Sequence, residues 1–266
     1  MKKIGFFTND NKDADMATTR ELMDFVQDLG HEALQENIFH NVDFTVVLGG
    51  DGTMLRAAKY AVVHSIPLLG INLGNVGYLT DVEKSQSKNA IQAVLAGDFQ
   101  IQERVMLSVY EFGHQHFALN DIVVHRGSGA RMIECAVSVD NEHMGTFRAD
   151  GLIIATPTGS TAYNFAAGGP VLKPDARMVI ITPICPQSPN ARSVVVSVDN
   201  HVEIRVSRAA QATVSFDGVI MDADEVAHVE GDGFSIAIRP NDYHTKIIKT
   251  NSLGFYEILR MKMKKV

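Results

Sequence analysis

Phe44-Thr45-Val46-Val47-Leu48-Gly49-Gly50-Asp51-Gly52-Thr53-Met54-Leu55 is the stretch on which the fold turns. Phe44 to Leu48 is an apolar run of strand length. Met54, Leu55, Ala58, Ala61 and Val62 recur at the spacing of one helix face. The stretch therefore predicts strand, glycine-rich turn, helix, and in an α/β sheet such a turn opens at the carboxyl edge where ligands bind. Glycine lets the backbone lie against a ligand, and consecutive amides in front of a helix N-terminus suit phosphate. A carboxylate in the middle of that loop has the wrong charge to grip phosphate. Asp51 thus accepts a proton from an attacking hydroxyl, holds a divalent cation, or merely caps the helix.

The surrounding chain extends the pattern. Lys3 to Thr8 and Ile66 to Ile71 read as further strands. Leu22, Val26 and Leu29 before Gly30, and Ala90, Ile91, Val94 and Leu95 before Gly97, read as helices. Strands alternating with helices predict an α/β domain with a parallel sheet over residues 1–100. Beyond it the texture changes to short β-branched and aromatic runs: 105–110, 116–125, 132–139, 151–156, 179–182, 193–198, 202–207, 212–216 and 234–239. Turn pairs such as Asp140-Asn141 and Asp217-Gly218 separate them. Residues 101–251 are expected to form a mainly-β domain. The tail Leu253 to Arg260 suits a short helix or a strand.

Bulk properties narrow the function classes. The 266 residues are 45% apolar with a net charge of −7. Without a basic block beyond Arg260 to Lys265, nucleic acid is not an expected partner. The apolar stretch at the N-terminus is too short for a signal peptide, and no run reaches membrane-spanning length. Cys135 and Cys185 make neither a disulfide framework nor a zinc site. A cytoplasmic enzyme that does not engage a membrane is expected.

Four further stretches carry groups suited to a nucleotide. Asn72-Leu73-Gly74-Asn75-Val76-Gly77-Tyr78-Leu79-Thr80-Asp81 follows a strand, so it opens on the same edge as Asp51. Tyr78 offers a ring to a base, or packs in the core. Asn120-Asp121 pairs a donor with an acceptor as a sugar diol requires, or marks a bulge. Arg148 and Asp150 share a strand face, as an ion pair or as contacts to phosphate and ribose. Thr156-Pro157-Thr158-Gly159-Ser160-Thr161-Ala162-Tyr163-Asn164 follows a buried strand; Ser160 or Thr161 suits a helix N-cap, Tyr163 suits base stacking, and Gly168-Gly169-Pro170 ends the helix. No Walker-type lysine marks a donor site.

In this order the motifs resemble those of the NAD kinases, together with Thr182-Pro183-Ile184-Cys185-Pro186. The resemblance spans about residues 3 to 260; its first motif is shared with lipid kinases and phosphofructokinases. It implies a phosphofructokinase-like N-terminal domain to which the tail, about residues 252–266, returns, and a β-sandwich-like C-terminal domain. It implies transfer of the terminal phosphate of ATP, or of polyphosphate, to the 2′-hydroxyl of the adenosine ribose of NAD, with magnesium or another divalent metal. Asp51 then corresponds to the proton acceptor, and Gly49, Gly50, Gly52 and Thr53 to the phosphate cradle, with Asp51 and Gly52 also among the NAD-binding residues. Asn120, Asp121, Thr158, Thr161, Ala162 and Tyr163 correspond to the adenosine end of NAD. Asp150 and Cys185 fall at the nicotinamide end and Arg148 near the phosphates. Asp121 stands where many members have Glu, and Ala166 where a serine that contacts NAD is common. A homodimer or homotetramer is implied. The competing readings are a lipid kinase of the diacylglycerol or sphingosine type, and a non-catalytic NAD or NADP(H) sensor.

Overall fold

A computed structural model describes residues 1–9, 12–35, 39–74, 77–80, 82–111, 114–127, 131–207, 212–221, 228–230, 233–239, 242–250 and 254–264. Asn75, Val76, Asp81, Leu253 and Lys265 of the stretches above lie outside them. The chain divides into two compact units, Met1–Arg104 with His244–Val266, and Val105–Tyr243.

The first unit is built on β1 (Lys3–Thr8), β2 (Glu32–Gln35), β3 (Phe44–Gly49), β4 (Leu68–Asn72), the short β5 (Val82–Glu83), β6 (Gln100–Val105) and β20 (His244–Lys249). The order is β2-β1-β3-β4-β20-β6, with β5 beside β4. β1 pairs in parallel with β2 and β3, and β4 in parallel with β3, β5 and β20. Every residue of the central β3 and β4 is buried, which is why both read as continuous apolar runs rather than alternating ones. Helices α1 (Ala17–Asp28), α2 (Asp51–Ala61) and α3 (Ser87–Ala96) connect the strands. Leu22 and Val26 of α1 and Ala90, Ile91 and Val94 of α3 share a core with Phe44, Val46, Leu48, Leu69 and Ile71. The tail forms α5 (Phe255–Met263), a helix.

The second unit contains two sheets over one core. One has the order β11-β10-β15-β19-β18, from β10 (Ile133–Val139), β11 (Glu142–Ala149), β15 (Val202–Ser207), β18 (His228–Glu230) and β19 (Gly233–Ile238). The other has the order β14-β13-β12-β9-β16-β17, from β9 (Asp121–His125), β12 (Gly151–Ala155), β13 (Met178–Ile184), β14 (Val194–Ser197), β16 (Thr213–Phe216) and β17 (Val219–Met221). Their pairings are antiparallel. Cys135, Val137, Ile204 and Ile236 of the first sheet pack with Ile122, Val124, Leu152, Ile154 and Ile181 of the second. The alternate residues Val123, Ile153, Ala155 and Ile180 form a second cluster with Ala167 and Leu172 on the opposite face. A hairpin of β7 (Leu107–Glu111) and β8 (His114–Ala118) completes the unit. The expected α/β plus β-sandwich-like architecture is thus present. Among the described residues no helix is long and apolar enough to cross a membrane.

Candidate functional site

In the first unit the glycine loop joins β3 to α2. Gly49 ends the buried strand, and a Cβ there would overlap the Thr53 side chain. Gly50 is extended and precedes α2, and Asp51 is the first helical residue, with no side chain capping the helix. Asp51 is therefore not the cap that one reading made it. Its Oδ2 accepts the Tyr78 amide at 2.9 Å. Its Oδ1 accepts the amides of Leu79 at 2.9 Å and Thr80 at 3.2 Å, and the Thr80 hydroxyl at 3.3 Å. The carboxylate thus pins the second glycine loop. Gly77 is required at its position because a Cβ would overlap the Asp51 carboxylate.

The same loop is held from its other side. Asn72 Oδ1 accepts the Gly74 amide at 2.7 Å, and Asn72 Nδ2 donates to the Thr80 carbonyl at 3.3 Å. Leu79 is buried, whereas Tyr78 is half-buried with Lys262 of α5 5.6 Å from its ring centroid. Burial, then the Asp51 charge, pushes the Tyr78 phenol above its ordinary value of 10.0.

In the second unit two loops are stitched together at the ends of β9 and β12. The Thr156 amide donates to the Asn120 carbonyl at 2.8 Å, and Thr156 Oγ1 to the Leu119 carbonyl at 2.5 Å. Gly159 lies so close to Asn120 that a Cβ would overlap its carbonyl. Asp217, at positive φ in a hairpin, accepts the amides of Leu119, Asn120 and Asp121 at 3.0, 2.7 and 3.3 Å. Ser160 and Thr161 are not N-caps. Ser160 Oγ donates to the Pro157 carbonyl and accepts the Leu172 amide, and Thr161 Oγ1 donates to the Thr158 carbonyl. The one-turn helix α4 (Tyr163–Ala166) is preceded instead by Ala162. Its buried Asn164 donates to the Ser160 and Pro170 carbonyls and accepts from Thr182.

The Tyr163 phenol feels the charges of three other groups in this unit. Burial raises the Tyr163 pKa above 10.0, and electrostatic repulsion from Cys185, Asp150 and Asp121 adds to it in that order. Tyr163, Ala166 and Cys185 are exposed, Thr161 and Ala162 half-buried, and Thr158 and Asp121 buried. Arg148 is exposed and is not the ion-pair partner of Asp150. That partner is Arg126, with Nε 2.9 Å from Asp150 Oδ1. Facing strands decide the matter, because Arg126 directly follows β9, which pairs with β12 beside Asp150.

Sequence reasoning missed Arg126, Asn164 and Asp217 as organisers. Asp217-Gly218 was visible only as a turn signal, and an Asp at the first αL position of a tight hairpin was the clue to a carboxylate facing backbone amides.

Comparison with known proteins establishes the family. Residues 29–99 match the model of the ATP-NAD kinase N-terminal domain and residues 119–247 that of the ATP-NAD kinase C-terminal domain. The chain belongs to the NAD kinase family. The NAD kinase of Ruminiclostridium cellulolyticum is 36% identical over 99% of this chain and 98% of its own. That of Agathobacter rectalis is 37% identical over 99% of both. The crystal structure of an NAD kinase from Archaeoglobus fulgidus in complex with ATP superposes with a TM-score of 0.80 at 27% identity, covering 99% and 98% of the two chains. Yeast NADH kinase complexed with NADH shares the fold at TM-score 0.80 and 22% identity, over 98% of this chain and 86% of that one. Membership places the chain among phosphotransferases and gives the lipid-kinase and sensor readings no support.

Proposed function

We propose that this chain transfers the terminal phosphate of ATP to the 2′-hydroxyl of the adenosine ribose of NAD, giving NADP and ADP. Polyphosphate is the alternative donor. The pinned Asp51 carries the proposal. Its Oδ1 already accepts three hydrogen bonds, whereas Oδ2 accepts one. Oδ2 is thus the less loaded of the two oxygens and has acceptor capacity for a substrate hydroxyl. In the step, the 2′-oxygen bonds to the terminal phosphorus and the bond to the bridging oxygen breaks. ADP leaves with that electron pair, and the hydroxyl proton passes to Asp51 Oδ2.

The amides of Gly50, Asp51 and Gly52 at the start of α2 form the phosphate cradle together with Gly49 and Thr53. Asn120 and Asp121 hold the adenosine, Thr158, Thr161, Ala162 and Tyr163 line the adenine and ribose, and Asp150 and Cys185 take the nicotinamide end. Arg148, exposed, serves the phosphates. Ala166 offers no hydroxyl to NAD, and the shorter Asp121 reaches less far than Glu would.

Among the described residues no group of three or more His, Cys, Asp or Glu side chains gathers to hold a metal. In this reading magnesium rides on the donor phosphates, with Asp51 the carboxylate at the glycine loop. The ion, when bound, neutralises phosphate charge as the bond breaks.

Self-association as a homodimer or homotetramer is part of the reading. The edge strands β14 and β17 present Val194, Val195, Val219 and Ile220 to solvent, and unpaired apolar edges invite a second copy. The free thiols Cys135 and Cys185 accord with the cytoplasm.

NADP formation from NAD and magnesium, with ATP and polyphosphate supplied separately, tests the reaction. Asp51→Asn is expected to lose turnover while NAD binding, followed by calorimetry, persists. A fully active Asp51→Asn overturns the assigned role.

A further inference from the structure

We infer that Lys12 is the cation that positions the donor's phosphates over the glycine loop of the first unit, supplying the charge that no Walker lysine provides. A Cβ placed on Gly50 would come 3.2 Å from Lys12 Nζ, and one placed on Gly74 would come 3.5 Å from it. The ammonium therefore lies against the bare backbone of both glycine loops at once. Lys12 is exposed, and among the described residues it forms no ion pair.

The placement is built rather than incidental. The Asn9 amide donates to the Leu48 carbonyl at 3.0 Å, and Asn9 Nδ2 to Thr53 Oγ1 at 3.1 Å, so the turn after β1 is tied to both ends of the glycine loop. The amides of Lys12 and Asp13 return to the Asn9 carbonyl at 2.9 and 3.1 Å. Asp13 is fixed in turn by the amides of Thr18 and Thr19 and by the Thr19 hydroxyl at 3.0, 2.9 and 2.7 Å. Lys12 is thus anchored between the fixed residues Asn9 and Asp13, and its ammonium reaches back over Gly50.

Among the described residues no carboxylate forms an ion pair with this lysine, which is held against glycine backbone. The anion that glycines admit there is a phosphate oxygen, which also takes the amides at the start of α2. Arg56, the cation one turn into α2, is committed to the Phe7 ring, with 5.5 Å from its guanidinium carbon to the ring centroid. The chemical class recognised is the terminal part of a polyphosphate chain, in ATP or in inorganic polyphosphate.

This inference rests on the reading that the Gly49 to Thr53 loop takes the donor, so the test separates the two. Steady-state kinetics would compare wild type with Lys12→Met, Lys12→Arg and Gly52→Ala, varying ATP and NAD independently. Lys12→Met is expected to lower kcat/KM for ATP by about 10- to 100-fold, the range for losing a charged hydrogen-bond partner. The KM for NAD should stay within about twofold. Lys12→Arg should recover most of the loss, since a guanidinium also donates to phosphate oxygens. A Lys12→Met enzyme with wild-type dependence on ATP overturns the inference. If Gly52→Ala still impairs ATP use in that case, the loop keeps its role and Lys12 alone loses it. If Gly52→Ala is silent as well, the loop reading fails with it. A Lys12→Met effect confined to the KM for NAD also overturns the assignment, because the cation would then serve the acceptor.

Discussion

Gly52→Ala separates a ligand-facing glycine from a structural one. Gly52 is the second residue of α2 and is exposed. A Cβ built on it meets nothing within 4 Å, and its φ lies outside the left-handed region. The fold therefore has no need of glycine there. Alanine in place of a helical glycine stabilises by about 0.4–1 kcal/mol, mostly by restricting the unfolded chain. For a chain of this size that corresponds to a rise of roughly 1–4 °C in Tm. If the loop amides hold phosphate, the same methyl group stands where phosphate oxygens must approach. Losing one charge-assisted hydrogen bond costs about 1.5–3 kcal/mol, or roughly 10- to 150-fold in kcat/KM. The expected signature is a higher Tm with at least about a tenfold fall in kcat/KM for ATP, measured by calorimetric melting and NADP formation. A Gly52→Ala enzyme that is more stable and fully active would refute the phosphate role of this loop. One that is unfolded would refute the free space around Gly52.

Asp13→Ala should destabilise the first unit by about 1–2 kcal/mol in urea titration, since it removes the acceptor of two amides and a hydroxyl at the start of α1. Burial raises the Asp13 pKa, but the bonds from Thr19 and Thr18 together outweigh it, and the net value falls below the ordinary 3.8. The stabilisation is then complete above pH 3.8 and disappears as the pH drops through the lower folded value, so wild type and variant should converge in strong acid. Asp217→Ala leaves the amides of Leu119, Asn120 and Asp121 without their carboxylate; we expect a KM for NAD raised about tenfold or more with the KM for ATP little changed. Under native conditions a thiol reagent should label Cys185 and spare Cys135, which burial, then Glu134, pushes up to about 12. NAD should slow the Cys185 reaction, and mass spectrometry of the labelled peptides reads both results.

What the sequence disclosed follows from burial. β3, β9, β12 and β13 are buried on both faces, so their apolar runs stand out whatever the pairing. β11 is an edge strand whose Glu142, His143, Thr146 and Arg148 face solvent, and its residues carry no such mark. β2, also at an edge, is equally faint. β20 is legible only as a partner of β4 and β6, because its only apolar residues are Ile247 and Ile248, between two lysines. At the site, the residue types that suit phosphate, ribose and base were visible locally. Their partnerships were not. Asp51 meets amides 27 to 29 residues away, and Asp217 meets amides 96 to 98 residues away. Arg126 reaches Asp150 across paired strands, where spacing along the chain had suggested Arg148. Lys12 has no motif around it, and only its anchoring between Asn9 and Asp13 brings it to Gly50.

The three carboxylates Asp13, Asp51 and Asp217 share one device: each accepts two or three consecutive backbone amides of another segment. An ionised carboxylate can do this because both oxygens only accept, and charge-assisted bonds are the stronger ones. Asparagine cannot, since its NH2 would face an N–H. Asp→Asn is therefore not a neutral probe of proton transfer at Asp51, because it also unpins residues 78–80. Gly77→Ala supplies the missing comparison. Its Cβ would overlap the Asp51 carboxylate and displace the loop while leaving the carboxylate in the chain. If proton acceptance at Oδ2 is the larger contribution, Asp51→Asn must lower kcat well below Gly77→Ala. Equal losses would assign the whole effect of Asp51 to holding the loop.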